Sequence, residues 1–242
     1  MPKAKYGEIY RDLKAHIERG TWEYETLLPG EHALAAQYGC SRNTIRRALA
    51  QLAADGYVQP MHGRGVRAIY RPLTQAMFTV GGIETFRESG ERNHMRTDTK
   101  VLEFARLEAD NRIAALTGFS VGEPLFFIRR LRYLDGLPVI LDHNYFRMSQ
   151  MPELSIEIAG HSVYDYLENE LGMVIATSKR TLSVERATKL DESLVELNGY
   201  NCMAVISGQT FDDNGIQFEY TQSRHRPDYF QFHTVATRQH KI

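Results

Sequence analysis

The chain has 242 residues, 43% hydrophobic and 24% charged, which suffices for a buried core and excludes a disordered, collagen-like or disulfide-stapled chain. No apolar run approaches the roughly 18–20 residues that cross a bilayer, and no apolar signal core follows Met1, so a cytoplasmic protein without membrane contact is expected. The net charge of −1 hides an asymmetry: residues 1–72 hold 11 Lys and Arg against 7 Asp and Glu, and between positions 36 and 71 six arginines face a single acid, Asp55. A basic segment on a near-neutral chain is the footprint of a DNA-binding module attached to something else. Cys40 and Cys202 lie too far apart for a metal knuckle or a redox pair and read as small core residues, so neither a metal nor a cofactor is expected.

Tyr6, Ile9, Tyr10, Leu13 and Ile17 recur at helical spacing, and Gly20 ends that helix. Leu28-Pro29-Gly30 breaks the pattern, and Glu31 opens a second helix that runs to Tyr38 and stops at Gly39. Ser41 is then a natural N-cap for a third helix, whose apolar stripe is Ile45, Ala48, Leu49 and Leu52. Off that stripe stand Arg42, Asn43, Arg46 and Arg47, the candidate DNA-facing side chains of this helix. Asp55-Gly56 ends the helix, and two short strands, 57–61 and 66–70, flank the turn His62-Gly63-Arg64-Gly65. Three helices and a basic hairpin make a winged helix-turn-helix.

In such a motif the third helix enters the major groove and its N-terminal residues meet base edges. Ser41 and Thr44 are hydroxyls suited to phosphates, Arg42 and Arg46 present forks to guanine, and Asn43 suits adenine. An ordinary solvated helix face would show some of these residues, but not together with the tight turn, the cap and the basic glycine-rich hairpin.

A linker over 73–78 separates this domain, 1–72, from a second, 79–242. The second alternates strand-like runs at 99–107, 124–134, 137–146, 175–187, 204–211 and 216–224 with helical patterns near 84–91, 109–118, 162–171 and 191–199. Asp135-Gly136 and Asp213-Asn214-Gly215 mark hairpins. The fold class is α+β, built on an antiparallel sheet. Phe104, Phe126, Tyr133 and Phe218 read as core or strand residues.

Three features of this domain bear on function. Arg130 and Arg132 share one face of an otherwise apolar strand and suit a bidentate phosphate grip, although a surface salt-bridge ladder explains them equally well. Ser162 opens a helix, either as a plain cap or as part of an anion site. The polar alternation from Glu219 to Arg226 reads as site residues or as edge-strand solvation. No nucleophile–base motif or phosphate-transfer loop is present, which argues against an enzyme of any kind.

The stretch from Leu28 to Gly65, with Ser41, Arg42, Thr44 and Arg46 in sequence, resembles the DNA-binding domain of the GntR family of bacterial transcription regulators. The resemblance places His32 where the family usually carries a DNA-facing arginine, puts Gly30 in place of the usual capping serine, and implies minor-groove contacts by His62, Gly63 and Arg64. Residues 78–239 resemble the UTRA effector domain of the HutC branch, with its chorismate lyase-like fold. The Arg130-x-Arg132 strand, Asp135-Gly136-x-Pro138, Asp142, Ser162-x-Tyr164 and Glu219…Ser223 carry that likeness. It implies a homodimer on double-stranded operator DNA and a sugar phosphate effector. Arg130, Arg132 and Ser162 would hold the phosphate, Asp142, Glu219 and Tyr164 the sugar hydroxyls. Ser223 and His225 belong to the same strand, and Gly81, Gly82 and Thr85 would add backbone donors. Phe78–Gly82 and Glu219–Phe230, with His225 where a tyrosine is usual, narrow the resemblance to repressors of trehalose operons. That implies trehalose 6-phosphate as the effector, with hexosamine 6-phosphates as the alternative. Activation and repression are not separable from sequence, because operator position decides between them.

Overall fold

The computed structural model describes residues 3–71, 78–79 and 82–233. It divides into two compact units, one drawn from Met1–Thr74 and His233–Ile242 and the other from Gln75–Phe232. Residues 73–77 of the expected linker lie outside the described residues; Phe78 begins a short strand.

The first unit holds α1 (Lys3–Glu18), α2 (Glu31–Gln37), α3 (Arg42–Ala54) and the antiparallel pair β1 (Val58–Met61) and β2 (Gly65–Ala68). Its core is the set of stripes read from the sequence: Ile9, Leu13 and Ile17 of α1 meet Leu34 of α2 and Ile45, Ala48, Leu49 and Leu52 of α3. The strands are shorter than the sequence suggests. Tyr57 and Tyr70 fall outside them and stack on each other, with ring centroids 4.9 Å apart. Three tyrosine hydroxyls fasten α1 to the rest: Tyr10 donates to Asp55 and Tyr38 to Asp12, each at 2.6 Å, and Tyr57 donates to Glu18 at 2.9 Å. Each uses a carboxylate as acceptor, so these three acids are engaged within the fold.

The second unit holds β3 (Phe78–Thr79), α4 (Phe86–Arg92), β4 (Thr97–Glu108), α5 (Asn111–Thr117), β5 (Pro124–Leu134), β6 (Leu137–Arg147), α6 (Ile156–Gly160), α7 (Val163–Asp165), β7 (Ile175–Arg186), α8 (Lys189–Leu194), β8 (Cys202–Asp212) and β9 (Gln217–His225); the two-residue strand β10 (Phe232–His233) falls on the division between the units. Six strands form one antiparallel sheet in the order β4-β5-β6-β9-β8-β7. Strand alternation gives the sheet two faces. Phe126, Phe146 and Phe218 are fully buried on one, under α6 and α7; Leu131, Leu141, Met203 and Val205 are buried on the other, beside the residues of α8.

Several helical expectations change. The 162–171 pattern splits into α7 and a π-turn at Tyr166–Glu170. The 191–199 helix instead runs Lys189–Leu194, because Thr188 and Asp191 form a reciprocal capping box that fixes its start two residues earlier. Helix α6 was not anticipated. Cys40 packs against the first core and Cys202 stands at the start of β8; both are half-buried and both thiols are free. Among the described residues, no helix is long and apolar enough to cross a membrane, and no cluster of three or more His, Cys, Asp or Glu is arranged to hold a metal.

Candidate functional site

Two sites arise, one in each unit. In the first, the Ser41 hydroxyl accepts from the backbone N–H of Thr44 at 3.2 Å and meets the Thr44 hydroxyl at 2.8 Å. The cap fixes the start of α3 and aims its first N–H groups outward. Arg42 and Arg46 stand on the exposed face, their side chains 61% and 60% exposed, beside Asn43. They are not independent forks. Glu31 at the start of α2 accepts from Arg46 Nε at 2.8 Å and lies 3.6 Å from Arg42. One carboxylate thus gathers both guanidiniums. Arg47, exposed on the same helix, lies over the Tyr6 ring of α1, at 5.0 Å. His32 is exposed on α2, and His62, Gly63 and Arg64 are exposed at the hairpin tip, where Gly63 at φ +68° makes the turn.

The second site is a cavity of about 340 Å³ on the sheet face that carries Arg130 and Arg132. Period-two register assembles it: Arg132 pairs with Ile140 and Arg130 with Asp142 across β5–β6, and Ile140, Asp142, Asn144 and Phe146 pair with His225, Ser223, Thr221 and Glu219 across β6–β9. Residues from 82–89, ahead of and within α4, and from 160–164, ahead of and within α7, add to the lining, with Thr97, Asp98 and Thr99 of β4, Arg180 of β7 and Ile206 of β8. All ten residues singled out in the sequence, Gly82, Thr85, Arg130, Arg132, Asp142, Ser162, Tyr164, Glu219, Ser223 and His225, line this one cavity.

Two hydrogen-bonded chains run across its floor. In one, Arg130 Nη2 donates to Asn144 Oδ1 at 2.9 Å, and Asn144 Nδ2 donates to Glu219 Oε1 at 3.1 Å and to the Thr221 hydroxyl at 2.9 Å. Tyr164 Oη donates to the other Glu219 oxygen at 2.6 Å. In the second, Arg132 Nε donates to Asp142 Oδ2 at 2.9 Å and Ser223 donates to Asp142 Oδ1 at 2.6 Å. Arg132 also donates to Thr99 at 2.7 Å and lies over the Phe86 ring.

The electrostatics differ between the chains. Burial raises the Glu219 carboxyl above the usual range despite Tyr164 and Arg130, and burial beside Glu219 holds the Tyr164 phenol well above its ordinary value. Asp142 goes the other way: burial alone would raise it, but the charges of Arg132 and Arg130 and the Ser223 hydrogen bond carry it below the usual range. Burial pushes the His225 imidazole down to about 4, so it is neutral near pH 7. Arg130, 4% exposed, is pulled below the ordinary guanidinium value by burial and by Arg132.

The geometry revises some expected roles. Both Asp142 oxygens are engaged, so its main task here is as counter-ion to Arg132. The Thr85 N–H already donates to Glu88 within a capping box, leaving no backbone donor there for an anion. Gly82 presents its carbonyl, which accepts from Arg180 Nη1 at 2.9 Å; Gly81 lies outside the described residues. Ser162 caps α7, its oxygen accepting from the Asp165 N–H at 3.2 Å. Sequence reasoning missed Asn144, Thr221, Ser89 and Arg180. Asn144 and Thr221 stand two residues from Asp142 and Ser223, so alternation alone would have found them. Ser89 and Arg180 reach the cavity only through tertiary packing.

Residues 5–67 match the bacterial regulatory proteins, gntR family, and residues 92–231 match the UTRA domain. The chain belongs to the GntR family of bacterial regulators. It is 37% identical to the HTH-type transcriptional regulator TreR of Bacillus subtilis over 98% of this chain and 99% of that one. The effector-binding domain of the B. subtilis trehalose repressor (TreR), a solved structure, covers 59% of this chain and 99% of its own at 34% identity, with a TM-score of 0.53. The B. subtilis regulator YydK shares the fold over 96% of this chain and 99% of its own, at 22% identity and a TM-score of 0.78. These GntR-family relatives are transcriptional regulators rather than enzymes, and this chain is a DNA-binding transcriptional regulator with a UTRA domain.

Proposed function

We propose that this regulator is a repressor of a sugar-utilisation operon, that it binds a palindromic operator as a homodimer, and that a sugar phosphate, trehalose 6-phosphate, releases it. Residues 1–72 read the DNA and residues 79–242 read the effector. Ser41, Arg42, Asn43, Thr44 and Arg46 address the major groove, with His32, His62, Gly63 and Arg64 at its edges. A two-fold protein on a two-fold operator places two α3 helices and two hairpin tips on successive half-sites.

One observation carries the effector reading. Among the described residues, Arg130, buried on the cavity floor, hydrogen-bonds only the neutral oxygens of Asn144 and Ala159 and leaves its Nε without a hydrogen-bond partner; Asp142 and Glu219 act on it only through space. A buried guanidinium that no carboxylate touches directly is matched by an anion that brings a fork of oxygens. Arg132 and Ser162 stand beside it, and Glu219, Tyr164, Asn144 and Thr221 offer the acceptors and donors that sugar hydroxyls need. The likeness to the B. subtilis trehalose repressor supports a phosphate of trehalose among the sugar phosphates.

Thermal unfolding of the full chain against a panel of sugar phosphates, with free trehalose as control, tests this reading. A ligand at about 100 times its Kd adds about 2.7 kcal/mol to the state it binds. A selective upward shift with trehalose 6-phosphate is the expected result. A shift only with a hexosamine phosphate overturns the choice of sugar, and no shift with any of them overturns the effector reading.

A further inference from the structure

Four arginines line the cavity: Arg87, Arg130, Arg132 and Arg180. Two are neutralised in place, Arg132 by Asp142 and Arg87 by Asp165 at 2.7 Å. The other two bond only neutral oxygens. Arg130 does so on β5. Arg180 does so on β7, where Nε donates to the Ser178 hydroxyl at 3.1 Å and Nη1 to the Gly82 carbonyl at 2.9 Å. Among the described residues Arg180 has no carboxylate partner.

The sheet order carries these two arginines on well-separated strands. From β5 to β7 the path crosses β6, β9 and β8, four strand spacings, so the two backbones stand roughly 19 Å apart at about 4.8 Å each. Arg180 is seated for an inward reach. It pairs in register with Gly208, where a Cβ would stand 3.2 Å from Arg180 Cγ and 2.4 Å from the Lys179 carbonyl. A glycine there leaves the floor of β8 open beneath the arginine stem. Tyr164 sits within the field of both ends: Arg180 acts on the phenol, and the phenol acts on Arg130.

We infer that Arg180 is an effector contact at the β7 end of the cavity and that it selects for length, favouring a phosphorylated disaccharide over a phosphorylated single ring. The inference rests on the sugar phosphate reading above. Arg130 and Arg132 take the phosphate at the β5 end. A single ring held there stops short of β7, whereas a second ring extends across β9 and β8 and offers hydroxyl oxygens to Arg180. The guanidinium then exchanges the Gly82 carbonyl for ligand oxygens. A cation that bonds only neutral groups gives up less in this exchange than one drawn from an ion pair.

Isothermal titration of the full chain with trehalose 6-phosphate and with glucose 6-phosphate tests the inference, using wild type, Arg180→Ala and Arg180→Lys. The expected result is tighter binding of the disaccharide phosphate by wild type. Arg180→Ala then weakens that ligand by about tenfold or more while changing glucose 6-phosphate binding by less than about twofold, and Arg180→Lys recovers part of the loss. Equal losses for both ligands would overturn the length role and place Arg180 in the phosphate grip. No loss for either would remove it from the site while leaving the sugar phosphate reading intact. If wild type binds neither, that reading falls and the inference with it. A ligand-free melting midpoint within about 2 °C of wild type checks that Arg180→Ala is folded.

Discussion

The two units carry arginines for opposite kinds of work. On α3, Arg42 and Arg46 stand in solvent and share one carboxylate, Glu31, which gathers their forks without burying them. On β5, Arg130 and Arg132 are 4% and 7% exposed, and each is built into a hydrogen-bonded chain. Exposed pairs contribute little to stability, whereas a buried charge that loses its partner is costly. Arg42 and Arg46 should therefore govern affinity alone, while cavity residues should govern folding and ligand response together.

The largest expected effect lies in the cavity. Asp142→Ala leaves Arg132 buried without its counter-ion and should cost about 3–5 kcal/mol in unfolding free energy, read by denaturant titration of the second unit's transition. A loss below about 1 kcal/mol would erase the contrast between the units.

His225 offers a comparable effect through pH. Its folded value of about 4 lies below the ordinary 6.5, so below pH 6.5 the unfolded chain takes a proton that the folded chain refuses. Stability from this residue is complete above about pH 6.5 and is lost as pH falls toward 4, by about 3 kcal/mol in all. His225→Gln should flatten that part of the profile, and an unchanged slope would refute the assignment.

In the first unit the effects are smaller and differ in kind. Arg42→Ala and Arg46→Ala should each cost about 1–3 kcal/mol in operator affinity while leaving the melting midpoint in place. Binding anisotropy on an operator selected from random duplexes measures the first, and calorimetry the second. Ser41→Ala removes a cap and should cost about 1 kcal/mol of stability in that unit; no change would mean that this hydrogen bond adds nothing to the fold.

The units also differed in how far their sequence could be read. Apolar spacing and the Ser41 cap placed α1, α2 and α3 and their core, because those signals act over a single turn of helix. Strand β5 was legible from Pro124 to Leu134 because its apolar run is bounded by turn residues. The start of α8 was missed because Thr188 and Asp191 form an ordinary-looking pair whose reciprocal bonds appear only in the fold. Helix α6 has five residues, too few to show a period. In the site, alternation put Arg130 and Arg132 on one face, but the pairing of Arg130 with Asn144 and of Asn144 with Glu219 needs the contact between β6 and β9, which lie some 75 residues apart. The link from Glu31 to Arg46 across 15 positions was invisible for the same reason.

Titrating trehalose 6-phosphate into the full chain bound to its selected operator, followed by fluorescence anisotropy, tests most directly whether occupancy of the cavity governs release from DNA. Release is expected as the cavity saturates, none with free trehalose, and that release is lost in Arg130→Ala. An operator that stays bound while calorimetry shows the wild-type cavity full would contradict that control.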